Sequence, residues 1–242
     1  MSAYKVGIVA LVVGAIGTVA MLPNFDDWFP EAAATQADRH DTLYLALMIM
    51  SAFIMAIVVV FLVYSLWKFR AKPGDEDRDG EPIHGNTTLE IVWTVIPTII
   101  VIGFAVYGGI VLAKNEDVTD EVKIAVTAKQ FIWTFEYPDG QVSNELVLPV
   151  DRDIQFDITA ETSDVIHSFY IPEFRVKADA PPGIMNHTYA HPTKTGTFQL
   201  ICTDLCGIGH SQMRAIVKVM EEDDYEQWLS EQPTADEQGG SS

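Results

Sequence analysis

Hydrophobic residues divide the chain into two halves with different patterns. Near the N-terminus they form three runs without a single charge, at residues 6–22, 43–67 and 91–113. A helix of roughly 20 apolar residues crosses a bilayer, so the two longer runs predict transmembrane helices. Two buried helices of a soluble core are the alternative, but soluble cores seldom contain charge-free runs of this length.

The shortest run, at residues 6–22, has two interpretations. It follows Lys5 and precedes three consecutive alanines, Ala32, Ala33 and Ala34. A basic start, an apolar stretch and small residues are features of a signal peptide. The length of the run also lies at the short limit of a membrane span. Residues 1–34 are therefore either a signal peptide or an extra transmembrane segment, and the sequence leaves both open.

The two longer runs predict a helix hairpin over residues 41–113, joined by a loop at 68–90. Lys68, Arg70 and Lys72 directly follow the first of these runs. Because cytoplasmic loops carry an excess of Lys and Arg, this loop is expected in the cytoplasm. The sequence thus predicts a multi-pass protein of the cell (inner) membrane, surrounded by lipid, whose part after residue 113 lies on the outer, periplasmic side.

Short strand-like segments replace the apolar runs after residue 114. Pro, Gly and Asp separate them, as in the turn at residues 138–140. This pattern predicts an all-β antiparallel barrel or sandwich over residues 114–230. A short helix is expected at 223–229, and the Gly-, Ser- and acid-rich tail 231–242 is predicted to be disordered. The predicted strands are 122–126, 131–137, 154–158, 168–171, 197–202 and 214–220.

The chain is strongly acidic, with a net charge of −19. Residues 114–242 contain 9 Lys/Arg and 23 Asp/Glu, a net charge of −14. Such a balance argues against nucleic-acid binding, which requires basic surface. It can attract a basic protein partner and accelerate its association in a salt-dependent way, although a general need for solubility would give the same acidic surplus.

The two cysteines, Cys202 and Cys206, are four positions apart. A disulfide between them would close a very short loop and add little stability. A metal or redox role is therefore favoured.

Potential metal ligands cluster around these cysteines. Cys202, Cys206, His210 and Met213 lie close together in one short segment. Two thiolates, an imidazole and a thioether together suit copper. A mononuclear blue-copper site has one thiolate, and the second thiolate here permits two sulfurs to bridge two metal ions. His167 is the candidate for another nitrogen ligand. A tetrahedral zinc site is the alternative, although zinc has no use for a thioether.

Three segments resemble subunit II of the cytochrome c oxidases, in the haem–copper oxidase family: the cysteine loop, residues 164–168 (Asp-Val-Ile-His-Ser) and residues 90–97 (Glu-Ile-Val-Trp-Thr-Val-Ile-Pro). The resemblance extends from about residue 41 to 229, and the cysteine loop is its most specific part. It implies a two-helix anchor, a cupredoxin-like β domain and the binuclear copper centre called CuA. The implied ligands are His167, Cys202, Cys206, His210, Met213 and the backbone carbonyl of Asp204.

The resemblance also implies an enzyme complex, an oxidoreductase and translocase of the respiratory chain. This chain would accept electrons from cytochrome c and pass them to haem in subunit I. Oxygen reduction to water, coupled to proton pumping, would occur in subunit I, so no catalytic residue is expected in this chain. Subunit III is a further expected partner.

Two positions depart from the family pattern. The family usually has Glu where this chain has Asp204, and that carboxylate helps to bind a magnesium ion against subunit I. The family's Gln-Trp-aromatic-Trp segment appears as residues 130–133, with Phe131 in place of the Trp where electrons enter. Trp133, expected on the same strand face, is the other candidate for that role.

Three carboxylates are further candidates. Glu90 opens the second long run, at the position where the family has a Glu near a proton-uptake path. A carboxylate at a membrane edge is otherwise an ordinary hydrated residue. Asp164 and Asp179, close in sequence to His167, are candidates for docking the electron donor.

Two other functions compete with this interpretation. A quinol-oxidase-type subunit II shares the anchor and β domain, but that branch lacks the copper ligands found here. A membrane-tethered copper-binding protein would use the ligands but would not explain the long hairpin or Glu90.

Overall fold

Three apolar helices form the N-terminal part of the computed structural model, which describes residues 3–71, 73, 74, 82 and 84–235. They are α1 (Ala3–Met21), α2 (Thr35–Lys68) and α3 (Thr87–Glu116). All three are long and apolar enough to cross a membrane. The predicted hairpin helices are therefore present, and α1 keeps the extra-helix interpretation open beside the signal peptide.

Polar residues extend α2 and α3 beyond the predicted apolar runs. The first turns of α2, from Thr35, precede residue 43, and α3 continues past Lys114 to Glu116. Part of the predicted loop 68–90, namely residues 72, 75–81 and 83, lies outside the described residues. Large apolar side chains of both helices are exposed, among them Leu66 (67%) and Val101 (66%). Surface of this kind requires lipid or a protein partner.

The chain divides into two compact units. One contains residues 1–29 and 42–110, and the other contains Pro30–Asp41 and Val111–Ser242. The second unit is the β domain. It differs from the predicted domain 114–230 because it includes a segment that precedes the first long apolar run.

Within residues 84–235, ten strands build the β domain as two five-stranded sheets, in the orders β3-β2-β1-β5-β8 and β4-β10-β9-β6-β7. Each of the six predicted strand regions contains a strand, whereas β3, β4, β7 and β8 were not predicted. The strands are β1 (Val122–Lys129), β2 (Ile132–Glu136), β3 (Val142–Ser143), β4 (Leu146–Pro149), β5 (Ile154–Ala160), β6 (His167–Ile171), β7 (Val176–Ala180), β8 (Asn186–Ala190), β9 (Gly196–Cys202) and β10 (Arg214–Met220).

The prediction of a wholly antiparallel domain is wrong. β1 pairs parallel to β5, and β10 pairs parallel to β4. In both cases the chain passes through other strands between the two partners, and such crossovers let strands run in the same direction. The result is a mixed β sandwich.

Alternating burial along the strands produces a continuous apolar core. In β5, for example, Ile154, Phe156 and Ile158 are fully buried while the residues between them are half-buried. The rings of Trp133, Phe156 and Phe169 fill the part of this core nearest to His167.

The last helix, α4 (Glu222–Ser230), covers one end of this core. Its residues Tyr225 and Trp228 pack on the ring of Tyr137, with centroids 6.4 and 5.3 Å away. Beyond α4, the N–H of Val142 donates to the carbonyl of Pro233. Residues 231–235 are therefore paired with the domain, and the rest of the predicted disordered tail, 236–242, lies outside the described residues.

The segment Pro30–Asp41 is part of the β domain. Ala33 and Ala34 are buried, the N–H of Ala33 donates to the carbonyl of Glu173, and the N–H of Thr193 donates to the carbonyl of Ala33, both at 2.9 Å. Arg175 binds Asp41 through two 2.9 Å hydrogen bonds. The domain thus has a structural component that the chain supplies before its long apolar helices, far upstream of the first strand.

Candidate metal centre

Strand register brings the distant histidine to the cysteine loop. β6 begins at His167 and β9 ends at Cys202, and the two strands pair antiparallel with Phe169 opposite Cys202. Met213 stands immediately before β10, and its carbonyl accepts the N–H of Cys202 at 3.1 Å. Because both ends of the loop are fixed by adjacent strands, its side chains face His167.

All six predicted ligands lie together at this end of the sandwich. The Sγ atoms of Cys202 and Cys206 are 3.9 Å apart. Near Cys202 Sγ lie Nδ1 of His167 at 3.9 Å and the carbonyl oxygen of Asp204 at 3.3 Å. Near Cys206 Sγ lie Nδ1 of His210 at 3.6 Å and Sδ of Met213 at 3.8 Å. Each sulfur therefore has one imidazole nitrogen and one weaker donor beside it.

The donor set suits a pair of soft ions better than a single zinc. A thiolate binds a metal of this kind at about 2.3 Å, so one ion can contact two sulfurs 3.9 Å apart. Structural zinc takes four ligands. Six donors, including a thioether and a carbonyl, exceed that number, whereas sulfur and imidazole together are typical of copper.

The sulfur atoms are free thiols rather than a disulfide. Their separation of 3.9 Å is almost twice the length of about 2.05 Å of an S–S bond. Burial, followed by the neighbouring Cys202 sulfur, raises the pKa of Cys206 to about 11. A bound cation would supply the charge that stabilises the thiolates at neutral pH, because metal binding displaces these protons.

The turn between β1 and β2 covers the cysteine loop. Gly207 has φ +136°, a conformation that other residues rarely adopt. A Cβ on Gly209 would lie 2.5 Å from Cδ2 of Phe131, so only glycine leaves room for that ring. The side-chain amide of Gln130 donates to the carbonyl of Cys206. The sequence did not predict this role of Gln130. Its position directly before Phe131, in the segment that resembles the family, was the feature that could have indicated it.

The two aromatic candidates for electron transfer occupy different environments. Phe131 is half-buried in the turn before β2, and Trp133 lies within β2 and is 1% exposed. Phe131 lies just before β2 and packs against the core to which Trp133 belongs, and the shared strand face stays a prediction. Trp133 contacts His167 from inside the core, at a ring separation of 6.2 Å. A donor protein therefore cannot touch Trp133 directly.

Asp164 does not present its charge to the surface, as a docking residue would. Its side chain is 7% exposed, and its Oδ2 lies 3.6 Å from Nε2 of His167. Burial raises its pKa, but the hydrogen bonds from the N–H groups of Val165 and Gln130 outweigh that effect and hold the pKa of Asp164 below its usual range. The contact that the structure shows for Asp164 is the one with His167, and its docking role stays a prediction.

The other two carboxylates are exposed. Asp179 lies on β7 and accepts the hydroxyl of Ser168 at 2.8 Å. Glu90, in the first turn of α3, accepts the N–H of Asn86, whose own side chain accepts the N–H of Leu89. These bonds cap the helix, which gives Glu90 a structural role at the site where a proton role is predicted.

Comparison with known proteins adds an independent observation. Residues 140–220 match the family model described as cytochrome c oxidase subunit II, periplasmic domain, and residues 22–108 match its transmembrane domain. Cytochrome c oxidase subunit 2 of Thermostichus vulcanus is 30% identical, over 82% of this chain and 76% of the relative. Alternative cytochrome c oxidase subunit 2 of Bradyrhizobium diazoefficiens is 30% identical, over 91% and 89%.

One similar solved structure is the periplasmic domain of subunit II of cytochrome oxidase (CoxB) of Bradyrhizobium japonicum. It is 34% identical and covers 46% of this chain and 93% of its own, with a TM-score of 0.43. The relatives match across both the apolar helices and the β domain that carries the ligand cluster, so this membrane chain with a periplasmic domain belongs to the cytochrome c oxidase subunit II family of haem–copper oxidase complexes.

Proposed function

We propose that this chain is the electron-accepting subunit of a cytochrome c oxidase and holds a binuclear CuA centre. The observation that carries the proposal is the approach of two free thiols to 3.9 Å, each with an imidazole nitrogen beside it, at 3.9 and 3.6 Å. The ligands are His167, Cys202, the Asp204 carbonyl, Cys206, His210 and Met213. When bound, copper supplies one-electron chemistry.

The protein contributes rigidity to that chemistry. His167 is fully buried, and Cys206 and Met213 are 2% and 0% exposed. A site fixed by two paired strands and mostly buried reorganises little when its charge changes, which favours rapid electron transfer. Phe131, which lies over the glycines of the loop, is the route by which electrons enter, and Trp133 is an inner neighbour of His167.

An exposed apolar surface surrounds the proposed centre. Ile208 is 103% exposed and Leu205 85%, on the cysteine loop itself. Val165 and Ile166, directly before His167, are 43% and 50% exposed. Apolar surface on loops that carry ligands favours contact with protein partners. We assign this surface to cytochrome c and subunit I, with Asp179 and the acidic domain attracting the basic donor.

The proposed topology follows from the composition of the β domain. The start of α2 and the end of α3 both belong to that unit. They therefore lie on the same side of the membrane as the copper ligands, and the chain crosses the inner membrane an even number of times between them. A hairpin with a cytoplasmic loop satisfies this condition. Lipid, subunit I with its haem, and subunit III would surround α2 and α3.

Two smaller roles belong to the same proposal. The Asp204 carboxylate, on the residue whose carbonyl faces Cys202, would bind magnesium against subunit I. Glu90 would serve a proton path into subunit I in addition to capping α3. Oxygen reduction and proton pumping would take place in subunit I, to which this chain delivers electrons.

Replacing either cysteine by serine tests the centre. The full-length chain is purified in detergent, loaded with copper and examined by electron paramagnetic resonance. We expect the spectrum of one electron shared by two copper ions, and its loss in C202S and in C206S, because a hydroxyl does not bridge as a thiolate does. S211A, an exposed position on the same loop, is the matched control and should keep the spectrum. A shared-electron spectrum in either serine variant, or a single copper per wild-type chain, would refute the assignment.

Salt dependence tests the donor. Turnover of the isolated complex with a basic cytochrome c should fall as ionic strength rises, because the domain's charge of −14 is then screened. D179N should raise KM for the donor at low salt and have little effect at high salt. A turnover rate independent of salt would remove cytochrome c steering from the proposal. A complex purified without haem would favour the copper-carrier alternative.

A further inference from the structure

Two ligands on opposite sides of the proposed centre are held by the same pair of residues. His167 directs Nδ1 toward Cys202, so a metal bound at Nδ1 would leave the ring proton on Nε2. Among the described residues, no hydrogen bond of standard length reaches that Nε2 atom, although the ring is fully buried. The nearest acceptor is Oδ2 of Asp164, 3.6 Å away.

The Asp164 carboxylate is itself fixed in place. Its Oδ2 accepts the backbone N–H of Gln130 and its Oδ1 accepts the backbone N–H of Val165, both at 2.7 Å. These two bonds orient the carboxylate and leave Oδ2 facing the imidazole. A metal-binding histidine typically donates its second N–H to such a carboxylate, which fixes the tautomer and makes the ring a stronger ligand.

Gln130 also reaches the other side of the centre. Its side-chain amide donates to the carbonyl of Cys206, while its backbone N–H donates to Asp164. The next residue, Phe131, packs against Gly207 and Gly209. One two-residue turn therefore contacts the histidine's partner and the cysteine loop at the same time.

We propose that Asp164 and Gln130 are positioning residues: Asp164 orients His167 and tunes its strength as a ligand, and Gln130 ties that carboxylate to the cysteine loop. We call this pair the positioning clamp. The proposed role of this clamp rests on the proposed copper function. When a metal contacts Nδ1, a small approach of the ring turns the 3.6 Å contact into a hydrogen bond from Nε2–H to Oδ2. The negative charge then favours the oxidised, more positive state of the centre.

The D164N variant tests the first half of the clamp. Asparagine keeps the size of the side chain but removes its charge. We expect the full-length D164N chain to bind two copper ions with the shared-electron spectrum, a higher midpoint potential, and about 10- to 100-fold weaker copper binding in chelator competition. D157N is the matched control, because Asp157 is paired with a different histidine, His187, at 2.7 Å. It should leave both quantities unchanged.

Each result decides the question. An unchanged potential and affinity in D164N, or equal shifts in D157N, would overturn the clamp while leaving the copper assignment intact. Absence of the shared-electron spectrum in the wild type would instead overturn the copper assignment itself. Q130A should release copper faster than wild type but shift the potential less than D164N, because its backbone N–H still binds Asp164. A release rate equal to wild type would remove Gln130 from the clamp.

A measurement on the wild-type chain covers the case in which D164N fails to fold. In the copper-loaded chain, nuclear magnetic resonance in D₂O follows exchange of the two ligand imidazole protons. The Nε2 proton of His167 should exchange far more slowly than that of His210, which is partly exposed. This comparison uses only the wild-type chain, so it does not depend on the folding of D164N. Equally rapid exchange of the two protons would overturn the clamp.

Discussion

Substituting alanine for Gly209 tests whether Phe131 closes over the cysteine loop. Gly209 has φ −92° and ψ 6°, a negative-φ conformation that alanine can adopt. Its new Cβ, however, would lie 2.5 Å from Cδ2 and 2.6 Å from Cγ of Phe131. Either the ring or the loop has to move. The effect of G209A is therefore a steric one, caused by a single neighbouring side chain.

The size of the effect follows from that overlap. Overpacking of this kind costs about 1–3 kcal/mol. For a unit of this size each kcal/mol lowers the thermal midpoint by about 4 °C, so G209A should lose about 4–12 °C. F131A removes the ring and with it the overlap. The double variant should therefore be more stable than the sum of the two single losses predicts, with a coupling energy of about 1–2 kcal/mol.

The assay is thermal unfolding of the full-length chain in detergent, followed by the circular dichroism of the β domain. G207A provides the comparison. Gly207 has φ +136° and its Cβ would lie 2.8 Å from Nε2 of Gln130, so removing Phe131 leaves both problems in place. F131A should rescue G209A but not G207A. Strict additivity of G209A with F131A, or equal rescue of both glycine variants, would refute the packing described here.

Two further predictions concern the β domain. R175A should lower the free energy of unfolding by about 3–5 kcal/mol in a thermal-unfolding measurement, because the Arg175 side chain is only 9% exposed and its loss leaves the Asp41 carboxylate without its cation. The control is K194A, which removes only an exposed ion pair and should have little effect. Equal losses of stability in the two variants would contradict this prediction. Burial raises the pKa of Tyr225 to about 12, so the folded chain keeps this phenol protonated above the unfolded value of about 10. Stability should therefore fall as pH rises from about 10 to 12, and Y225F should reduce that fall; an unchanged pH profile in Y225F would disprove it.

The sequence was sufficient to predict the elements with a strong periodic signal. The charge-free runs gave α2 and α3, and alternation gave six strands, because burial on one face imposes that pattern directly. The four strands that were missed are short or polar. β3 has two residues, and β7 carries Lys177 and Asp179 on its exposed face. The two parallel strand pairings could not be predicted from the sequence, because they depend on which strands meet after a crossover and not on any local pattern.

The site was predictable to a similar extent. The residue type alone determines which metal ions a side chain can bind, so the cysteine loop and His167 could be identified from the sequence. The structure brings them together. The surroundings could not be named. Whether Asp164 faces solvent or an imidazole depends on a turn 34 residues away, and the burial of Trp133 depends on which face of β2 meets the second sheet. These are properties of tertiary packing.

The placement of Ala33 and Ala34 inside the β domain limits how the protein can be cut. A leader peptidase acting after Ala34 would remove two side chains from a filled cavity and break the hydrogen bonds to Glu173 and Thr193. A soluble fragment starting at Lys114 would have the same gap in its core. A fragment in which residues 30–41 are joined to residue 111 by a flexible linker would fill it, and would be the better starting point for isolating the domain from the membrane.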